Sequence, residues 1–159
     1  MPLSPYRWSG RCLWVLEQRD LPHRQRFIPC RSAADVARAI RDMSVRGAPA
    51  IGNTAAFGLA LAARERVFRR PGDLVAHLEK ARARLAATRP TAVNLFWALE
   101  RMARVWRPAP VDNLPTRLEQ EARAIHAEDL ASCRRIGAAG AGLLPRGAVV
   151  LTHCNAGWL

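Results

Sequence analysis

Apolar and polar positions along this chain change period once near residue 30 and again near residue 148. Cys12-Leu-Trp-Val-Leu-Glu17 and Gln25-Arg-Phe-Ile28 are short runs rich in β-formers on either side of a polar, proline-containing turn, Arg19–Pro22. That pattern predicts a hairpin over residues 11–30. Ser32 then stands three residues ahead of Asp35 as a helix N-cap, with Val36, Ala39, Ile40 and Met43 at helical spacing, so a helix is expected to run to about Met43. A loop over Val45–Gly52 leads into an alanine-rich helix ending near Ala63, with Pro49 in the first turn, where a missing N–H costs nothing. Small residues at Ala55, Ala56, Gly58, Ala60, Ala62 and Ala63 imply that a neighbour packs very closely on this helix. Leu74, Leu78, Ala81 and Leu85 mark a third helix from about Asp73, Thr88–Ala92 breaks it, and Val93–Val105 is expected to form a fourth.

The composition of 107–115, with three prolines, reads as a linker. A long amphipathic helix is predicted from Thr116 to about Gly140, its apolar face marked by Leu118, Ala122, Ile125, Leu130 and Ile136. Pro145-Arg-Gly147 turns the chain into Ala148–His153, a short β-branched run of the kind that forms a buried strand in a parallel sheet. Such a strand needs neighbours, and nothing else in the chain looks like one. The expected organisation is a small-sheet and helical domain over 1–115, a connecting helix over 116–145, and over 146–159 the first strand of a further domain that the chain does not contain.

Composition narrows the function classes. The chain has 159 residues and a formal net charge of +12, which attracts polyanions or phosphorylated small molecules. Of the 25 basic residues only Lys80 is a lysine, and the arginines are spread along helices with no basic block and no interleaved aromatics. This pattern makes no case for nucleic acid as a partner. No apolar run reaches the ~18–20 residues of a membrane span, and the N-terminus lacks a signal-peptide core. Four cysteines without close pairing (Cys12, Cys30, Cys133 and Cys154) suggest free thiols in a cytoplasmic protein and no zinc site.

Three places could carry chemistry. Arg46-Gly47-Ala48-Pro49 stands at an expected helix start, where open N–H groups and the helix dipole favour an anion and an arginine can grip phosphate with two bonds. The other reading is a turn glycine beside a solvated arginine. Thr88-Arg89-Pro90-Thr91 repeats the arrangement before the fourth helix. Cys154 stands at the C-terminal end of the expected strand, where α/β proteins place their sites, and could equally be a plain strand-end thiol. His153 beside it would point to the opposite face, which argues against a Cys–His dyad.

Taken together, Ala39-Ile-Arg-Asp-Met-Ser-Val-Arg-Gly-Ala-Pro-Ala-Ile-Gly52, Arg89-Pro-Thr-Ala-Val-Asn-Leu95 and Leu151-Thr-His-Cys-Asn-Ala-Gly157 resemble, in order and spacing, three signatures of the methylthioribose-1-phosphate isomerases of the initiation factor 2B-like superfamily. Leu16-Glu-Gln18 and Leu21-Pro22 fit that family's opening hairpin. The resemblance implies an α+β fold: a mainly helical N-terminal domain with a small antiparallel sheet, followed by a Rossmann-like domain. It implies an aldose–ketose isomerisation in methionine salvage, 5-methylthioribose-1-phosphate to 5-methylthioribulose-1-phosphate, with no cofactor and no obligatory metal, and a homodimer in the full-length form. By position it implies that Arg46, Gly47, Ala48 and Arg89 bind the sugar phosphate and that Cys154 assists the proton or hydride shift. The family's catalytic aspartate, a glutamine and an Asn-Lys pair would follow residue 159, so the chain is expected to be a truncated, inactive fragment. Two relatives of that superfamily imply other roles: non-catalytic regulatory subunits, and ribose-1,5-bisphosphate isomerases.

Overall fold

The structure is a computed structural model that describes residues 4–107 and 112–154. It begins with three antiparallel strands in the order β1 (Tyr6–Trp8), β2 (Leu13–Leu16) and β3 (Phe27–Cys30). The expected hairpin is β2 and β3, paired from Leu13↔Cys30 to Leu16↔Phe27. A short 3-10 turn over Gln18–Asp20 follows β2. The first strand is an addition to the expectation. Its three residues pair Tyr6↔Val15 to Trp8↔Leu13 and make β2 the centre of the sheet. Leu13, Val15 and Leu16 are fully buried as a result.

Five helices follow: α1 (Ala33–Arg41), α2 (Ala48–Ala62), α3 (Pro71–Ala86), α4 (Val93–Ala103) and α5 (Leu114–Ala141). Helix α2 begins at Ala48, inside the loop expected over Val45–Gly52, whereas the other starts lie within two residues of the expected ones. Leu78, Ala81 and Leu85 of α3 are buried as expected, and Leu74 is half-buried. Ser32 closes a capping box on α1. Its hydroxyl accepts from the Asp35 N–H at 3.1 Å, and Asp35 Oδ2 accepts from the Ser32 N–H at 3.1 Å. Helix α1 stops two residues before the expected Met43, because Met43 takes up the left-handed region (φ 60°). The Ser44 N–H then returns to the Ala39 carbonyl (2.9 Å) and the Met43 N–H to that of Ile40 (3.2 Å). This is the hydrogen-bond pattern of a Schellman ending, whose left-handed position normally holds glycine. Met43→Gly is therefore expected to raise stability by about 0.5–1 kcal/mol, since relief of the left-handed strain outweighs glycine's extra chain entropy. Urea unfolding measures the change, and a loss of stability would contradict this account.

Helix α2 is the hub. Every residue from Ile51 to Ala62 is buried, with α1, α3, α4 and α5 packed around it. Its small residues allow this close surround. Phe57 reaches the sheet, stacking on Trp8 at 4.9 Å between ring centroids and meeting Tyr6 at 5.9 Å. Helix α5 closes the far side. The Tyr6 hydroxyl bonds His126 Nδ1 at 2.7 Å, the Trp8 indole donates to Glu119 at 2.8 Å, and Arg101 of α4 pairs with Glu121 at 2.5 Å and with Glu128.

The apolar face expected on α5 divides in two. Leu118, Ala122 and Ile125 are buried, whereas Leu130 and Ile136 are exposed, because the helix runs past the core that α2 and α4 provide. The expected strand at 148–153 does not form. Val149 and Leu151 are 100% and 98% exposed, and among the described residues no strand lies beside this run. A strand needs a hydrogen-bonded neighbour, and the sheet that exists stands at the other end of the chain. Residues 108–111 of the expected linker, and 155–157 of the last motif with the two residues after it, lie outside the described residues. No described helix is long and apolar enough to cross a membrane. The described residues form an α+β architecture, five helices with one small antiparallel sheet.

Candidate functional site

The loop that carries Arg46 is held from beneath by the end of β2. Glu17 is only 1% exposed, and both its oxygens are used: Oε1 accepts from the Arg19 N–H and Nε (3.3 and 2.8 Å), and Oε2 accepts from Arg19 Nη2 and Ser44 Oγ (2.6 and 2.9 Å). The Arg19 bonds, helped by Ser44, hold the Glu17 carboxyl down at about 2 despite its burial, so it is ionised at neutral pH. One residue on, the Gln18 N–H donates to the Ser44 carbonyl (2.9 Å). The Gln18 carbonyl accepts from Arg46 Nη2 (3.1 Å). Arg46 is partly buried, and its Nε is enclosed without an acceptor among the described residues.

Gly47 follows as the N-cap of α2 at φ 97°, a region that side chains with a Cβ rarely enter. With no side chain it leaves the helix start uncapped, and its carbonyl accepts from the Ile51 N–H at 2.9 Å. Pro49 in the first turn supplies no N–H. The donors left open at this end are the backbone N–H groups around Gly47 and Ala48, at the positive end of a 15-residue helix.

Helix α4 also starts without a side-chain cap, at Ala92, whose N–H donates to the Arg89 carbonyl at 3.0 Å. The Arg89 side chain is partly buried and makes no ion pair among the described residues. The two motifs meet. A Cβ placed on Gly52, one turn into α2, would lie 2.7 Å from the Asn94 carbonyl oxygen and 3.4 Å from the Ala98 Cβ. Glycine thus lets the first turn of α4 rest directly on the first turns of α2. Between these turns and the middle of α5 runs a groove of about 480 Å³. Pro49, Val93 and Trp97 form its apolar wall, and Asn53, Asn94 and Asp129 its polar side. Asn53 is buried and donates to Asp129 Oδ2 at 2.9 Å. A larger hollow of about 680 Å³ at the start of α3, lined by Phe68, Val75 and Trp106, includes no residue of the three motifs.

Cys154 is not brought to this place by any described contact. It is exposed, with φ 64°, in a run whose one backbone hydrogen bond among the described residues is local, from the Ala148 N–H to the Pro145 carbonyl. Cys12 and Cys30 are buried free thiols, and burial pushes that of Cys30 up to about 12. Among the described residues no group of three or more His, Cys, Asp or Glu side chains could hold a metal ion. Motif spacing alone does not reveal Glu17, Asn53 or Trp97 as neighbours of the site. The one hint is that Gly52 and Asn94 fall inside the two signatures.

The family model of the initiation factor 2 subunit family matches residues 44–159. The chain belongs to that family. Within it, the chain is 55% identical to a methylthioribose-1-phosphate isomerase of Alkalilimnicola ehrlichii, over 96% of this chain and 44% of the relative. It is 48% identical to one of Chloroflexus aurantiacus, over 100% of this chain and 47% of the relative. Among solved structures, the 5-methylthioribose 1-phosphate isomerase of Pyrococcus horikoshii superposes with a TM-score of 0.86 at 38% identity, covering 92% of this chain and 42% of that one. The translation initiation factor eIF-2B subunit delta of A. fulgidus gives 0.86 at 42%, covering 98% and 46%. The chain therefore spans about half the length of these members of the initiation factor 2 subunit family.

Proposed function

We propose that this chain forms the phosphate-holding part of an aldose–ketose isomerase that converts 5-methylthioribose-1-phosphate to 5-methylthioribulose-1-phosphate in methionine salvage. The observation that supports the reading is the meeting of the Arg46 and Arg89 motifs at Gly52 and Asn94, which brings the first turns of two helices without side-chain caps against each other. The names of the most similar relatives support the substrate class. Arg46 grips the phosphate oxygens through its outward N–H groups while its Nη2 stays on Gln18. The Gly47 and Ala48 N–H groups add fixed donors, and Arg89 approaches from the second motif. Such donors hold the sugar without needing to reorganise during reaction. Cys154 assists the transfer of hydrogen between the first two carbons.

Titration calorimetry with 5-methylthioribose-1-phosphate tests the binding half. Arg46→Ala and Arg89→Ala are each expected to weaken binding about 10- to 100-fold, the worth of a charge-assisted hydrogen bond of roughly 1.5–3 kcal/mol. Equal affinity in both variants and the parent would refute the assignment. A second reading has its own support in the subunit-delta structure, which matches as well as the isomerase does. In that reading the chain is a regulatory module without a sugar site, and the parent chain gives no heat with the sugar phosphate.

A further inference from the structure

We infer that Glu17 is the positioning residue for the Arg46 guanidinium, acting through Ser44 and Gln18 without touching the ligand. The inference rests on the reading above for its consequence, but its geometry stands by itself. The Glu17 carboxylate fixes the Ser44 hydroxyl at 2.9 Å, the Ser44 carbonyl receives the Gln18 N–H at 2.9 Å, and the Gln18 carbonyl receives Arg46 Nη2 at 3.1 Å. Each member is pinned by burial: Glu17, Gln18 and Ser44 are 1%, 1% and 2% exposed. The result is an arginine with one end of its fork tied to the protein and its Nε held in an enclosed place with no acceptor among the described residues. A guanidinium held in this way loses less freedom when it meets an anion than one free to swing. The first strands thus set the direction of a side chain that the helical domain uses.

A carboxamide cannot replace Glu17. Both carboxylate oxygens accept from Arg19, so whichever way a glutamine is turned, its NH₂ faces an arginine donor. Either Arg19, whose side chain is 52% exposed, or the new side chain must move, and Ser44 loses the charged, doubly braced acceptor that holds its hydroxyl. The test is a titration of the isotopically labelled chain with inorganic phosphate, followed by NMR at the Gly47 and Ala48 amides and at the Arg46 Nε–H. Glu17→Gln is expected to weaken phosphate binding at least fivefold and to merge the Arg46 Nε–H signal with those of the exposed arginines. Ser44→Ala, which removes only the hydroxyl, gives the same changes at smaller size and serves if Glu17→Gln does not fold. Leu118→Ala, a core change on α5, is the control: it lowers the melting temperature but leaves phosphate affinity within twofold. If Glu17→Gln and Ser44→Ala bind phosphate like the parent and keep the Arg46 signal in place, the positioning role is overturned. If Arg46→Ala binds phosphate as the parent does, the phosphate reading fails instead, and the Arg46 Nε–H signal alone decides the positioning role.

Discussion

Gly52→Ala is expected to destabilise the protein by about 1–3 kcal/mol, the usual cost of forcing an extra carbon into a packed interior. The direction is what makes the result informative. In an exposed helix the same exchange stabilises by roughly 0.5–1 kcal/mol, because alanine loses less chain entropy than glycine. At Gly52 the new Cβ would stand 2.7 Å from the Asn94 carbonyl oxygen and 3.2 Å from its carbonyl carbon. Those atoms are backbone at the start of α4 and cannot rotate away, so the two helix starts must separate. Gly137 on α5 is the internal control, since a Cβ there meets nothing within 4 Å, and Gly137→Ala is expected to stabilise. Urea unfolding of the two variants against the parent gives both signs. Gain in both would show that α4 does not rest on α2 as described.

Phe57→Ala carries the largest expected loss, about 3–5 kcal/mol. Phe57 is 2% exposed and links the two layers: it lies in the middle of α2 and stacks on Trp8 while meeting Tyr6. Its removal leaves a hole between sheet and helices that small neighbours such as Ala55 and Ala56 cannot fill. Phe57→Leu restores most of the volume and separates the terms; it is expected to lose only the ring contacts, about 0.5–1.5 kcal/mol per aromatic pair. The urea midpoint and near-ultraviolet circular dichroism report both variants. A loss below about 1 kcal/mol for Phe57→Ala would mean that the sheet is not anchored through this ring, since cavities of this size cost more.

The sequence was most readable where the signal is local. Ser32 with Asp35, and the apolar steps Leu78, Ala81 and Leu85, are decided within one or two turns, and the structure agrees with them. The first strand was not readable, because Tyr6-Arg-Trp8 is three residues long and too short to show alternation. The far end of α5 shows the opposite difficulty. Leu130 and Ile136 keep the helical period and remain exposed, since a period reveals a face and not whether anything covers it. For Ala148–His153, composition pointed to a strand, but strand formation depends on a partner elsewhere. Arg46, Gly47, Ala48 and Arg89 could be picked out from their motifs. The contact between the two motifs at Gly52 and Asn94 could not, because it depends on how α2 and α4 pack, and Cys154 is not joined to either motif by any described contact.

The Tyr6–His126 and Trp8–Glu119 bonds join residues 120 and 111 positions apart. They bear on the order in which the molecule assembles. A chain made at ~5–20 residues per second, from its N-terminus, produces the first strand many seconds before the helix that completes its surroundings. Helices α1 to α4 can gather early through contacts that are close in sequence. Tyr6 and Trp8 gain their last partners only once α5 has emerged. The clasp between β1 and α5 is therefore a late event in folding, and Tyr6 and Trp8 are made well before the residues that enclose them.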